Sequence, residues 1–365
     1  MGFFNKIFGS SSDNSPKKGG FEALKIKAIK RETSDAVKIT FDVPVELIES
    51  YAFIPGQYLT IKLLINGKEE RRSYSICSGI DEDLSVAIKK IEGGIVSTWF
   101  NEEAKEGEEV MVSFPEGNFR LNDIGKNYVA FAAGSGITPI MAMCKAIAMG
   151  NQGSIKLFYG SRDRSSIIFH DEIETLRAKR VDTAYYLSKE NVENVPYYQP
   201  QRLSDKVIRN IIKSDLNLLK ADGYFLCGPE ELIVNVRDVL KIFGIKEEKI
   251  HYELFTTPVL LANTETAASN FDGLSEVTVI IDDEETTFQL DSNGDTILSE
   301  LDAAGIDAPY SCRGGVCSTC KAKILTGSAK MDTNLALTDN EVKEGYILTC
   351  QAHPTSEKLT ISFDE

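Results

Sequence analysis

The sequence predicts a multidomain protein: an antiparallel β-barrel, then an α/β domain built on a parallel sheet, then a small α+β module. Three observations lead there. The chain has 365 residues, more than the ~150 a single domain usually holds. Short β-like runs dominate as far as about Asp123, and strand–helix alternation replaces them to about Phe255. A Thr/Ala/Asn-rich stretch then leads into an acidic segment that carries clustered cysteines. Hydrophobic residues at 42% and charged residues at 26% are globular values, which exclude a mostly disordered chain.

Residues 1–20 include GSSSDNSPKKGG, small and polar, and read as a flexible lead-in. Over 21–124 the runs ALKIKAIKR, AVKITFDV, YLTIKLLI, LSVAIKKI and EVMVSF are separated by the turn signals Pro55-Gly56, Asn66-Gly67 and Gly93-Gly94. Strands at this spacing build an antiparallel barrel or sandwich. Over 125–255 the strands YVAFAA, SIKLFYG, DTAYYLS and GYFLCG alternate with helices at Ile137–Met149, Asp171–Lys179 and Glu230–Phe243. Such alternation buries a parallel sheet between two helical layers. Residues 256–273 read as a linker. In 274–365, EVTVIID and TTFQL form a hairpin, ILSELDAAG a short helix, and KLTISF a closing strand.

Charge and hydropathy exclude several partners. A net charge of −15 disfavours nucleic acid. No apolar run approaches the ~18–20 residues of a membrane helix. The N-terminal stretch lacks a signal-peptide core, and Lys6 breaks the myristoylation pattern. The expectation is a cytoplasmic protein with no membrane partner, whose seven cysteines are reduced thiols or metal ligands. From Phe271 onward there are 18 acids against 6 bases, a local charge of −12, while the rest of the chain carries only −3. An acidic terminal module suits docking on a basic protein surface.

Cys312, Cys317 and Cys320 read C-x4-C-x2-C, and Cys350 follows after 29 intervening residues. This spacing is that of a plant-type [2Fe–2S] cluster, in which one tight loop and one distant thiolate close the coordination of two irons. Gly314 and Gly315 let the backbone turn closely enough for amide donors to reach sulfur. A structural zinc site is the competing reading, but zinc motifs favour paired C-x2-C units.

Arg72-Ser73-Tyr74-Ser75 ends a β-like run and follows Pro55-Gly56-Gln57-Tyr58. Its chemistry suits a flavin: a guanidinium for phosphate, an aromatic ring and hydroxyls for the ring system. Gly93-Gly94-Ile95-Val96-Ser97-Thr98 puts a glycine turn and hydroxyls at a helix start, a favourable phosphate site. Gly134-Ser135-Gly136-Ile137-Thr138-Pro139 follows a strand and opens a helix, a dinucleotide-type turn with Pro139 in the place of the third glycine. Cys227-Gly228-Pro229 adds an anchor at the carboxyl edge of the sheet. After SIKLFYG the chain reads Ser161-Arg162-Asp163-Arg164, where an acid would favour the ribose of NADH and arginine the 2′-phosphate of NADPH. Two arginines flank one acid, which leaves NADPH and NADH both open on these residues alone.

Two resemblances follow from these motifs. APYSCRGGVCSTCKAKILTG with YILTCQAHP resembles plant-type ferredoxin domains over 274–365, which implies a β-grasp fold with Cys312, Cys317, Cys320 and Cys350 as cluster ligands. PGQY, RSYS, GGIVST, GSGITP and CGP, in this order, resemble the ferredoxin–NADP reductase superfamily over 21–255. That resemblance implies that Arg72, Ser73, Tyr74 and Ser75 hold the flavin, FAD, with Tyr74 and Ser75 beside the reacting ring. It implies that Gly94, Val96, Ser97 and Thr98 contact the FAD phosphates, and that Gly134, Gly136, Thr138 and Pro139 hold the nicotinamide nucleotide. The Ser161-Arg162 pair after SIKLFYG also resembles NADP-using members of the superfamily, which implies NADPH over NADH, with Arg162 and Arg164 as the expected phosphate contacts. Cys227 is the candidate for positioning hydride transfer, and Phe255, in His251-Tyr252-Glu253-Leu254-Phe255, for packing near the flavin.

Together the halves resemble the reductases of bacterial multicomponent oxygenases. The implied relay runs from NADPH to FAD, to the [2Fe–2S] cluster, and on to an oxygenase or epoxidase component of the di-iron type. A Rieske or hydroxylating oxygenase as acceptor, or a redox sensor or carrier without turnover, are the alternatives. Elsewhere, His170, His251 and His353 fit no metal spacing, Trp99 reads as packing, and Cys77 and Cys144 as small core residues.

Overall fold

The computed structural model describes residues 20–192, 195–256 and 271–365. Apart from their margins, the lead-in expected over 1–20 and the linker expected over 256–273 lie outside the described residues.

The barrel is built from β1 (Phe21–Thr33), β2 (Ala36–Asp42), β3 (Tyr58–Ile65), β4 (Lys68–Ser75), β5 (Ser85–Lys89) and β6 (Glu109–Ser113). They pair antiparallel in the order β4-β3-β6-β1-β2-β5, and a bridge between Ile76 and Val86 joins the chain after β4 to β5. Alternate residues point inward, as a half-buried strand requires: Leu24 and Ile26 from β1, Val37, Ile39 and Phe41 from β2. Helix α1 (Ile95–Glu102) adds Val96 and Phe100 to this core, and Trp99 packs edge-on against Phe100.

The second unit comprises β7 (Asn127–Ala133), α2 (Ile137–Met149), β8 (Ser154–Ser161), α3 (His170–Leu176), β9 (Val181–Leu187), β10 (Tyr198–Gln199), α4 (Asp205–Ser214), β11 (Gly223–Cys227), α5 (Glu230–Ile242) and β12 (Ile250–Glu253). Every pairing in its sheet, ordered β10-β9-β8-β7-β11-β12, is parallel. One apolar layer gathers Ile137, Ile140 and Met141 of α2 with Ile173 of α3, and the other gathers Ile208 and Ile212 of α4 with Ile233 and Val236 of α5. The strand order reverses at β7, which lies between β8 and β11. Open parallel sheets bind ligands at such a switch point, beyond the strands' carboxyl ends. GSGITP follows β7 and CGP ends β11, so both turns lie there. They touch: a Cβ on Gly136 would run into the carbonyl of Cys227.

Buried charge joins these two units. Lys145 on α2 is 7% exposed and pairs with Glu82 of the barrel at 2.7 Å and with Glu172 of α3 at 2.8 Å. Lys38 of β2 approaches Glu172 at 3.5 Å. An ammonium this enclosed persists only with such partners.

The third unit contains β13 (Leu274–Ile281), β14 (Glu284–Asp291), α6 (Ile297–Ala303), β15 (Lys321–Thr326), β16 (Ala329–Met331), α7 (Asp339–Lys343), β17 (Tyr346–Leu348), β18 (Ala352–Pro354) and β19 (Lys358–Ser362). Its main sheet runs β14-β13-β19-β15-β17, with β13 and β19 parallel, and its core includes Ile297, Leu298 and Leu301 of α6. That is the expected β-grasp arrangement. No helix among the described residues is long and apolar enough to cross a membrane.

Gly136→Ala is expected to force the two sheet-edge turns apart. Overpacking of this kind costs roughly 1–3 kcal/mol, to be read as a lower midpoint in urea unfolding.

Candidate active site

A cavity of about 800 Å³ opens where the three units meet. Strand β4 supplies Arg71, Arg72, Ser73 and Ser75; the end of β12 and the turn after it supply Glu253, Leu254 and Phe255; the cluster loop supplies Tyr310, Ser311, Cys312, Arg313, Val316 and Cys317. Two of the four cysteines expected to hold the cluster therefore share one wall with the RSYS strand.

The sulfurs stand in two pairs. The Cys317 thiol lies 3.1 Å from Cys312 Sγ, and Cys320 donates to Cys350. The hydrogen bond from Cys317, assisted by the N–H groups of Gly314 and Val316, brings the Cys312 thiol down to about 6. The Gly314 N–H reaches Cys312 Sγ at 3.3 Å. Among the described residues no three His, Cys, Asp or Glu side chains converge as a single ion would require. Two sulfur pairs with amide donors beside them suit a two-iron cluster held by four cysteines.

Glu253 is the strongest electrostatic feature of the cavity. Burial pushes its carboxyl up to about 8, only partly offset by Ser75, whose hydroxyl donates to it at 3.2 Å. At neutral pH it is an uncharged acid able to donate a proton. Cys227 is fully buried at the end of β11, and burial together with the neighbouring Glu253 keeps its thiol protonated.

The sequence-predicted flavin residues divide. Arg72, Ser73, Ser75 and Phe255 line the cavity. Arg72 is half exposed and pairs with Glu70 at 3.1 Å. Tyr74 does not line it; its ring meets Phe100 edge-on at 6.2 Å. Gly94 begins α1 without a side-chain cap, next to Ile91 on the cavity rim, so first-turn amides are open to a phosphate. Val96 is core, and the Ser97 hydroxyl donates to the Gly94 carbonyl and accepts from Ile91 N–H. Thr98 is partly buried. The cavity's size, hydroxyls, guanidinium and uncharged acid fit a flavin.

A second cleft of about 540 Å³ lies at the carboxyl edge of the parallel sheet, lined by Gly134, Ser161, Arg162, Lys189, Arg202 and Lys89 among others. Gly136, Thr138 and Pro139 are buried beneath its Gly134 edge, and Thr138 donates to the Ser135 carbonyl. Arg162 is half exposed and pairs with Asp35 at 2.9 Å. Arg164 turns elsewhere: it pairs with Glu190 at 2.9 Å and lies over the Tyr198 ring. Asp163 is consumed by its own turn, accepting from Ser165, Ser166 and the Ser166 N–H.

Sequence reasoning assigned no role to Tyr58, Arg71, Glu253, Lys189 or Arg202. Two of them had a usable signal: Tyr58 closes the PGQY motif, and Glu253 stands in the segment that holds Phe255.

Comparison with known proteins agrees with this layout. The oxidoreductase FAD-binding domain family matches residues 23–121, the oxidoreductase NAD-binding domain family residues 131–238, and the 2Fe-2S iron-sulfur cluster binding domain family residues 279–355. The chain is 35% identical to a subunit of the 1,2-phenylacetyl-CoA epoxidase of Escherichia coli (strain K12), over 94% of this chain and 98% of that one. The chain belongs to the family of oxygenase reductase components. A second relative of this reductase is the ferredoxin reductase component of 3-ketosteroid-9-alpha-monooxygenase of Mycobacterium tuberculosis, 30% identical over 94% of this chain and 96% of that one. Among solved structures, phthalate dioxygenase reductase superposes on it with a TM-score of 0.57 at 25% identity, covering 94% of this chain and 98% of the other.

Two predictions test the site. Cys317→Ala in the reductase should abolish the cluster's EPR signal and cytochrome c reduction, while the reduced nicotinamide nucleotide still bleaches the flavin absorbance. Glu253 sets a pH dependence: between about pH 4.5 and 8 the folded chain keeps a proton that the unfolded chain has lost, so stability falls as pH rises through that window. The melting temperature of the parent should therefore drop more steeply from pH 5 to 8 than that of Glu253→Gln.

Proposed function

We propose that this reductase takes electrons from NADPH and delivers them to an epoxidase component of the di-iron type, a reading supported by its relative among the subunits of 1,2-phenylacetyl-CoA epoxidase. The observation that carries the relay is the shared wall: RSYS residues and the cluster ligands Cys312 and Cys317 line one cavity. Bound FAD supplies the change from two-electron to one-electron chemistry, accepting a hydride and yielding electrons singly. The chain's own residues orient and insulate. Arg72 and the open start of α1 would take the phosphates, Ser73 and Ser75 the ring edge, and Phe255 would cover the ring. Glu253, hydrogen-bonded to Ser75, is placed to give or take the proton that balances the transfer. One NADPH thus reduces two one-electron acceptors and releases one proton. The steroid monooxygenase relative supports a different oxygenase as the second reading of the acceptor.

The preference for NADPH rests on charge in the nucleotide cleft. Lys89, Arg162, Lys189 and Arg202 line it, and Asp163, the acid that would favour NADH, is tied up in a turn. Kinetics with both nucleotides test this. Arg162→Ala and Arg202→Ala should each lose roughly 1.5–3 kcal/mol in kcat/KM for NADPH and little for NADH, and Arg164→Ala should change neither much. A parent that prefers NADH sinks the assignment.

The acidic third unit, −12 from Phe271 onward, points to a basic docking face on the acceptor. Reduction of purified epoxidase component should slow steadily as salt rises, because exposed charges are screened over about 8 Å at physiological ionic strength. A rate indifferent to salt would leave the acidity with no docking role.

A further inference from the structure

Tyr58 belongs to the barrel but spends its hydroxyl on the cluster loop. Its oxygen accepts from the Ser318 N–H at 3.2 Å and lies 3.1 Å from Thr319 Oγ1 and 3.3 Å from Ser318 Oγ. A phenol has one proton to donate and lone pairs to accept with, so this single oxygen takes the Ser318 amide while its proton is offered to a loop hydroxyl or to the Glu116 carboxylate 3.5 Å away. Ser318 and Thr319 are the two residues between the ligands Cys317 and Cys320. The contact thus holds the C-x2-C turn that joins one sulfur pair to the other.

The side chain is itself held rigidly. Tyr58 is 4% exposed, and its backbone N–H and carbonyl both bond Glu116 across an antiparallel bridge. Gly117 presses on its ring: a Cβ there would stand 2.9 Å from ring carbons, at a φ of +108° that favours glycine. Tyr58 also lines both the flavin cavity and a smaller cavity of about 180 Å³ that includes Cys317 and Glu253. Burial and the nearby Cys317 push its phenol well up, so it remains a hydroxyl at working pH.

We propose that Tyr58 is a positioning residue for electron transfer from flavin to cluster, fixing the Cys317–Cys320 turn against the flavin cavity and occupying the Ser318 amide. Amide donors close to cluster sulfurs tune the potential of the iron. Freeing the Ser318 N–H and loosening the turn therefore changes the cluster's electronic signature as well as its reduction rate.

The test uses the full-length holoprotein with flavin and iron contents measured. Tyr58→Phe keeps the ring and removes only the hydroxyl, and with it the Ser318 and Thr319 contacts; Thr319→Val removes the Thr319 part of the same tie, leaves the Ser318 N–H bonded, and reads the loosened turn alone if the first variant loads poorly. Each should shift the cluster's midpoint potential and its EPR g-values. Each should also slow cluster reduction after mixing with NADPH by about fivefold, the equivalent of one neutral hydrogen bond. The double variant should be no slower than Tyr58→Phe alone, because removing the hydroxyl already removes the Thr319 contact. Parent-like potentials, g-values and rates in both singles, or rate losses that multiply in the double variant, would overturn the proposal. The inference rests on the flavin-before-cluster order. A parent whose cluster fills before its flavin would defeat that order, a result distinct from any variant-to-parent comparison.

Discussion

Arg71 holds the seam on which the electron path depends. Its side chain is 3% exposed and lies on β4, beside the flavin residues. Besides Glu69 on its own strand and the Phe21 ring of β1, its partners come from the third unit: the Asp307 carboxylate, the Ala308 carbonyl and the Tyr310 ring. A guanidinium this enclosed is stable only when its donors are satisfied, so β4 and the loop leading to Cys312 are held as neighbours. Ser73 Oγ donates to Ser311 at 2.7 Å further along the strand, and Tyr58 makes the third tie from β3. The flavin cavity and the cluster share a wall because these side chains reach across it.

Charge is divided among the units according to what each meets. The nucleotide cleft gathers lysines and arginines, as a polyphosphate donor demands. The cavity between barrel and cluster loop is kept nearly neutral at its acid, Glu253, and at the Cys227 thiol behind it, both through burial. The cluster unit carries most of the chain's net negative charge. The Lys145–Glu82–Glu172 group locks barrel to nucleotide unit, so the flavin side and the nucleotide side also keep one geometry.

Much of this was legible in the sequence, and the remainder was hidden for identifiable reasons. Strands β1 and β2 announce themselves by alternation, and the cysteines by spacing fixed by chemistry. Strand β4, KEERRSYS, has no apolar alternation because its side chains serve the cavity and the seam rather than the core. Tyr58 and Arg71 act on partners more than 230 residues away in sequence, at Ser318 and Asp307, a proximity that no local pattern encodes. Arg162 and Arg164 looked equivalent as a pair flanking Asp163, but the turn that Asp163 caps sends Arg164 to Glu190, while Arg202 enters the cleft from the segment before α4. Glu253 stood in the matched His251–Phe255 segment without a role of its own, because its protonation follows from enclosure and not from its neighbours in the chain.

The central claim is that flavin and cluster exchange electrons within one chain across a preformed wall. Anaerobic mixing of the holoprotein with NADPH, followed at the flavin and cluster absorbance bands over a tenfold range of protein concentration, tests it most directly. The account predicts that flavin reduction precedes cluster reduction and that the second rate does not change with protein concentration. A cluster rate that rises in proportion to protein concentration would mean transfer between molecules and would contradict it.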